Sequence, residues 1–197
     1  MANDGSAYGK SLALALKNAA SPSVTVVASQ RDAQAMLYAA NSMDAAASAL
    51  DQAVSQNPAV KLFAPSALAS DAFVSALSPD AQRRLYVSSP GFLPIGLPTS
   101  GRTFEADFRS KYGHAPAPQA IFGYEAMAAV LAVLREAGPG ANSRTTVVND
   151  FLKLTRSSSN SVLGAYSINS RGDTSVAPFI FSRVKSGRLV PFKAAQG

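Results

Sequence analysis

Residues 36–64, MLYAANSMDAAASALDQAVSQNPAVKLFA, decide the fold class. Met36 to Ala40 is a short apolar run of strand length. Asp44 stands where a helix cap is wanted, and Ala45 to Gln56 carries helix-forming residues behind it. Asn57-Pro58 ends that helix, because a residue before proline resists the helical region. Val60 to Ala64 is a second apolar run, closed by Pro65-Ser66. Strand, helix and strand in that order are the repeating unit of a parallel sheet.

The neighbouring segments extend the pattern. Val24-Thr25-Val26-Val27-Ala28 is rich in β-branched residues, and Leu85-Tyr86-Val87 is a further short run. Both read as strands. Segment 10–20, KSLALALKNAA, alternates its leucines, but Leu, Ala and Lys favour helix, and Ser21-Pro22 stops it. Residues 67–84 read as helix with a break at Ser78-Pro79. Residues 88–101, SSPGFLPIGLPTSG, hold three prolines and three glycines and read as a connector. Phe104, Phe108 and Tyr112 then recur on a helix ending at Gly113. Tyr124, Met127, Ala128, Leu131 and Leu134 mark an amphipathic helix stopped by Gly138-Pro139-Gly140. A helix follows from about Thr145 to Leu154. The tail turns at Asn169 to Asp173 and ends in two strands, Pro178 to Lys185 and Arg188 to Phe192, joined at Ser186-Gly187. The reading is an α/β chain with a mainly parallel sheet over 24–28, 36–40, 60–64 and 85–87, closed by a β-hairpin.

Composition narrows the functional classes. The chain has 197 residues, 47% of them apolar and 15% charged, a globular balance. It lacks cysteine, which excludes disulfides, thiol nucleophiles and thiolate metal sites. The formal charge is +6, and the excess sits late. Residues 144–197 carry eight basic residues against Asp150 and Asp173. They are dispersed, with no zinc-finger spacing or aromatic RNA-binding motif beside them, so the reading is a solvated basic face and no nucleic acid partner.

Several motifs dissolve on inspection. Gly5-Ser6-Ala7-Tyr8-Gly9-Lys10-Ser11 has three residues between glycine and Gly-Lys-Ser where a phosphate loop needs four. No nucleotide, and no other cofactor, is expected. Arg171-Gly172-Asp173 suits a turn better than an adhesion signal. His114 is the only histidine, which leaves no triad or metal cluster to build. Glu105 and Asp107 point apart on their helix. No enzyme active site is expected.

Segments spread over nearly the whole chain, in this order and spacing, resemble the type I periplasmic solute-binding proteins of branched-chain amino-acid ABC transporters. They are Asn3-Asp4-Gly5 with Tyr8-Gly9-Lys10-Ser11, then FEADFRSKYGHAPAP at 104–118, then Gly123-Tyr124-Glu125-Ala126 to Ala137-Gly138. Arg144 to Leu154, Ser161 to Tyr166, Gly172-Asp173-Thr174 and the hairpin at 183–190 complete the set.

The resemblance implies two Rossmann-like lobes closing on a small ligand, delivery to an ABC permease, and a periplasmic, extracellular or lipoprotein location for the full-length protein. It implies that this chain is the C-terminal portion, with the other lobe, the export signal and the strand leading into Asn3 lying before Met1. Residues 1–87 and 145–197 would form the ligand-binding lobe, 88–101 the crossover, and 102–144 a helical remnant of the second lobe. The strands at 24–28 and 36–40 are only about seven residues apart, too close for a parallel crossover. Candidate ligand contacts carried over are Tyr8, Asn41, Ser42, Ser66 and Phe122. No acidic residue stands beside Ser66 to hold an α-amino group, so the ligand is amino-acid-like or another small polar molecule. A ligand-sensing regulatory domain and a folded non-binding fragment are the alternatives. A chain without its second lobe is expected to expose Tyr124, Met127, Leu131 and Leu134 and to self-associate as a homodimer.

Overall fold

The computed structural model describes residues 1–20, 24–27, 29, 31–93, 96–176 and 178–194. Ser21-Pro22, Ala28, Pro94 in the connector and Ala177 before the hairpin lie outside the described residues. The chain divides into a sheet unit, Met1–Ser89 with Phe179–Gly197, and a helical unit, Pro90–Pro178. Residues 145–178, read from sequence with the first lobe, make their contacts inside the helical unit.

The sheet unit begins with β1 (Ala2–Asn3), α1 (Ala7–Ala19), β2 (Ala35–Ala39), α2 (Met43–Gln56) and β3 (Lys61–Ala64). A 3₁₀ turn at Ser66–Leu68 leads to α3 (Asp71–Ser75), α4 (Pro79–Arg84) and β4 (Leu85–Pro90). After the helical unit the chain returns as β7 (Phe179–Lys185) and β8 (Arg188–Ala194). The six strands run in the order β1-β2-β3-β4-β7-β8. Pairs β1–β2, β2–β3 and β3–β4 are parallel, and β7–β8 is antiparallel. The fold is thus α/β with a mainly parallel sheet and a terminal hairpin, as the sequence indicates.

Alternation builds the core. Met36 and Tyr38, Leu62 and Ala64, and Leu85 and Val87 point to one face of the sheet. There they meet Ala46, Ala47, Leu50 and Val54 of α2, Phe73 of α3 and Ala81 of α4. Leu50, Leu62 and Phe73 are fully buried. Polar clips fix the helices on this layer. The Asp51 carboxylate accepts from the Ser78 hydroxyl at 2.7 Å, and Ser78 in turn caps α4. Asp71 accepts from the Leu189 N–H at 3.2 Å, which ties α3 to β8.

Four local expectations are corrected. Val24–Val27 form no strand; they are exposed, and the place beside β2 is taken by β1. A run of valines has no strand preference without a pleated neighbour to pack on. This removes the crossover difficulty, because α1 is the connection between the parallel strands β1 and β2. The strand entering Asn3, expected before Met1, is present as β1 itself. Ser42, not Asp44, caps α2, with its hydroxyl accepting from the Ala45 N–H at 3.5 Å, and Asp44 sits in the first turn. The helix read over 67–84 does break at Ser78-Pro79, but ahead of the break it is a 3₁₀ turn followed by the short α3, and α3 and α4 are capped by Ser70 and Ser78.

The helical unit holds α5 (Thr99–Tyr112), α6 (Ala120–Ala137), α7 (Arg144–Phe151) and the small antiparallel pair β5 (Thr155–Arg156) and β6 (Tyr166–Ser167). Gly113, at φ +75°, ends α5 in the left-handed conformation that glycine adopts freely. Arg171-Gly172-Asp173 is a turn, with the Arg171 and Asp173 N–H groups donating to Asn169 Oδ1. At the centre of this unit lies Glu125, on α6 and buried. Its carboxylate accepts from Arg156 Nε at 3.1 Å, the Val162 N–H at 2.9 Å and the Tyr166 hydroxyl at 3.0 Å. The Arg156 guanidinium also donates to the Asn160 carbonyl. Two apolar clusters flank this network: Ala129, Val133, Leu154 and Ile168 on one side, and Leu97, Ile121 and Val162 on the other.

Candidate functional site

Parallel strands place their carboxyl ends along one edge, and α/β folds bind ligands there. In the sheet unit β1 ends at Asn3, β2 at Ala39 and β3 at Ala64, with Asn3 beside Ala39 in register. The residues that follow these ends form the candidate site: Asp4 to Tyr8, Ala40 to Ser42, and Pro65-Ser66.

Asp4 organises this edge. Its carboxylate accepts from the Ser6 hydroxyl and N–H, and across the sheet from the Asn41 N–H at 3.2 Å. The Ser6 hydroxyl, aided by the N–H groups of Ser6, Asn41 and Ser42, holds the carboxyl below the usual range against a desolvation effect of opposite sign. The same Ser6 oxygen caps α1 by accepting from the Gly9 N–H at 2.9 Å. Gly9 is buried, and a Cβ there would press on Asp4 Oδ1 and lie 2.5 Å from the Ala39 carbonyl oxygen. Glycine is therefore what lets α1 start so close to the end of β2. Burial first, then the Asp4 charge, raises the pKa of Tyr38 on β2.

Four of the five sequence candidates stand at this edge. Tyr8 is exposed in the first turn of α1. Asn41 is exposed, with its N–H held by Asp4. Ser42 is exposed as the α2 cap. Ser66 is exposed at the start of the 3₁₀ turn after β3. The fifth, Phe122, lies in the helical unit, half-buried on α6, with its ring stacked on Phe92 at 6.1 Å between centroids. Asp4 was legible only as part of the Asn-Asp-Gly motif; an Asp two residues before the Ser6 cap of α1 is the signal that could have singled it out.

A carboxylate, an amide, two hydroxyls and an exposed phenol suit reversible hydrogen bonding to a small polar molecule. Among the described residues no group of three His, Asp or Glu side chains could hold a metal ion. None of the described helices is long and apolar enough to cross a membrane. A cavity of about 640 Å³ opens elsewhere on the sheet unit, lined by Met1, Val24, Val26, Gln34, Leu37 and Phe63 among others, and none of the five candidates lines it.

Comparison with known proteins agrees with this architecture. The family described as periplasmic binding protein matches residues 5–188. No curated protein matches. Among solved structures, an ABC transporter substrate-binding protein from Desulfitobacterium hafniense in complex with Leu is 21% identical, with a TM-score of 0.73 over 98% of this chain and 59% of that one. The branched-chain amino acid transporter substrate binding protein LivJ from Streptococcus pneumoniae, in complex with isoleucine, is 16% identical, with a TM-score of 0.67 over 96% and 58%. A solute binding protein from R. palustris in complex with benzoate is 16% identical, with a TM-score of 0.54 over 82% and 42%. At these identities the likeness is one of fold. The chain spans about half the length of the structures it matches.

Proposed function

The chain belongs to the periplasmic binding protein family, and from that premise we propose that it carries the solute-contacting edge of an extracytoplasmic receptor that feeds an ABC-type importer. The ligand is a branched-chain amino acid or a similar small polar molecule. Tyr8, Asn41, Ser42 and Ser66 are its contacts on the sheet unit, and Asp4 ties the Asn41-Ser42 turn to the start of α1. What supports this reading is that all four residues follow the carboxyl ends of β1, β2 and β3, the first two of which are tied by the Asp4 carboxylate. The solved relatives hold leucine, isoleucine and benzoate, so the class of ligand is small and the edge is free to vary in specificity.

The lack of an acidic residue beside Ser66 favours a carboxylate-bearing ligand held through hydroxyl and amide groups over one gripped by its amino group. We further propose that the chain self-associates. Tyr124, Met127 and Leu131 form an exposed stripe on α6, with Leu134 half-buried at its end, and apolar patches of this kind find partners. The strand-end residues are exposed, so the chain alone is expected to bind weakly. Calorimetry with leucine, isoleucine, valine and benzoate, beside light scattering over a concentration series, tests both halves. Weak binding that Asn41→Ala or Ser42→Ala abolishes, together with a concentration-dependent dimer, is the expected result. A monomer whose binding ignores both substitutions contradicts the proposal.

A further inference from the structure

The sheet unit has two faces, and its helical layer covers one of them. Strand alternation sends Leu37, Phe63, Tyr86, Phe181 and Arg183 to the face opposite the core. Phe63 and Tyr86 stack at 5.3 Å, Phe181 stands edge-on to Phe63 at 6.1 Å, and Phe192 lies 6.0 Å from Tyr86. These rings form one continuous apolar band across β3, β4, β7 and β8. Phe63, Tyr86 and Phe181 are only half-buried, and Phe192 is exposed. A sheet built from parallel strands is ordinarily covered on both faces; here Val24–Val27 stand over the Leu37 and Phe63 end across the 640 Å³ cavity, and among the described residues no helix of the core layer covers the ring band from Tyr86 to Phe192.

Its border is basic. Lys61, Arg183, Lys185, Arg188 and Lys193 are all exposed on β3, β7 and β8, and these three strands carry no Asp or Glu. Four of the eight basic residues in 144–197 are thereby gathered beside the aromatic band. The rings are turned to one another, and the Arg183 guanidinium sits 4.5 Å over the face of Phe192. They form a packed apolar surface with a cationic margin, unlike the separate free ring faces on which nucleic acid bases stack.

We propose that this face docks an amphipathic helix of another protein, one whose apolar stripe is edged with carboxylates. Charge complementarity selects that occupant over a second copy of this chain. The long helices here offer no match: α1 carries Lys10 and Lys17 and no acid, α5 carries Arg102, Arg109 and Lys111 against Glu105 and Asp107, and the exposed stripe of α6 has one exposed acid, Glu136, beside Arg135. Of the acids of α2 and α3, Asp51 and Asp71 already serve Ser78 and Leu189, and Asp44 stands alone in the first turn of α2. The docking face takes no part in the strand-end site, so it stands apart from the solute reading.

The test uses the whole chain and a fluorescent peptide of about 16 residues, a helix of roughly 24 Å, with leucines on one face and glutamates on its flanks. A scrambled peptide of the same composition and a version with lysine for glutamate are the controls. Anisotropy titrations are expected to show the acidic amphipathic peptide binding about tenfold or more tighter than either control and weakening with salt. Two independent variants, Phe192→Ser and Lys185→Glu combined with Lys193→Glu, each lower that affinity several-fold while circular dichroism stays unchanged. Met127→Ser, on the other apolar surface, leaves it as it was. Equal binding of the acidic and scrambled peptides overturns the proposal. So does tighter binding of oligothymidylate or of phosphatidylglycerol vesicles through the same residues.

Discussion

The two units of this chain are held together by different physics. The sheet unit is an apolar core between a parallel sheet and α2, α3 and α4, with polar clips at its margins. The helical unit is organised by one buried carboxylate that joins α6 to the β5–β6 segment through Arg156, Val162 and Tyr166. In an apolar core, removing one side chain costs its burial and leaves a cavity, but strands no polar group. A buried ionic hub differs, because removing one partner strands the others without hydrogen bonds in a dry interior.

Substitution of the two centres is the strongest way to break that contrast. Glu125→Ala leaves the Arg156 charge, the Val162 N–H and the Tyr166 hydroxyl unpaired, at a cost of about 3–5 kcal/mol. Leu50→Ala, in the middle of α2, removes buried carbon only and costs about 2–5 kcal/mol. Hydrogen exchange followed by mass spectrometry separates them. Glu125→Ala is expected to strip protection from residues 155–168 while 36–64 keep theirs, and Leu50→Ala to do the reverse. Loss spread evenly over both regions in either variant would end the distinction.

Alkaline titration sharpens the same contrast more gently. Burial, together with the neighbouring Glu125 charge, pushes the Tyr166 phenol up to about 12. A pKa raised on folding means that the native state favours the protonated phenol. Its contribution is complete below about pH 10, the ordinary phenol value, and is lost as pH rises toward about 12. The helical unit of the parent chain should therefore lose stability in that window, and Tyr166→Phe should flatten the decline at the expense of a lower plateau below it. Chemical denaturation at a series of pH values measures both. An unchanged slope in Tyr166→Phe would place the alkaline sensitivity elsewhere.

The contrast also explains what the sequence revealed. Residues 36–64 announce their own fold, because strand alternation and the helical spacing of Ala46, Leu50, Ala53 and Val54 both record which side chains meet the core. The hairpin at 179–194 was legible for the same reason. Val24–Val27 misled, because β-branched residues mimic a strand even where no neighbouring strand is free to receive them. β1 escaped notice because two residues, Ala2 and Asn3, carry no periodicity. In the helical unit the segments Gly123-Tyr124-Glu125-Ala126 and Ser161 to Tyr166 stood out as motifs, but nothing in either announces that Glu125 reaches the Val162 N–H 37 residues away. At the strand-end edge, Asn41, Ser42 and Ser66 were visible from their positions after strands, and Tyr8 from the resemblance alone. The clip that joins two of those strand ends, Asp4 to Asn41, spans the same 37-residue separation and left no local trace.

The most direct test of the central claim, that the strand-end edge of the sheet unit is the solute-contacting surface, is a nitrogen-15 NMR titration of the chain with leucine and isoleucine at millimolar concentrations. The expected result is amide shifts confined to residues 4–9, 40–43 and 65–68, diminished in Asp4→Asn, which loses the carboxylate that positions the Asn41 N–H. Shifts centred on Gln34, Leu37 and Phe63 around the 640 Å³ cavity instead, or no shifts at the strand ends at saturating ligand, would contradict it.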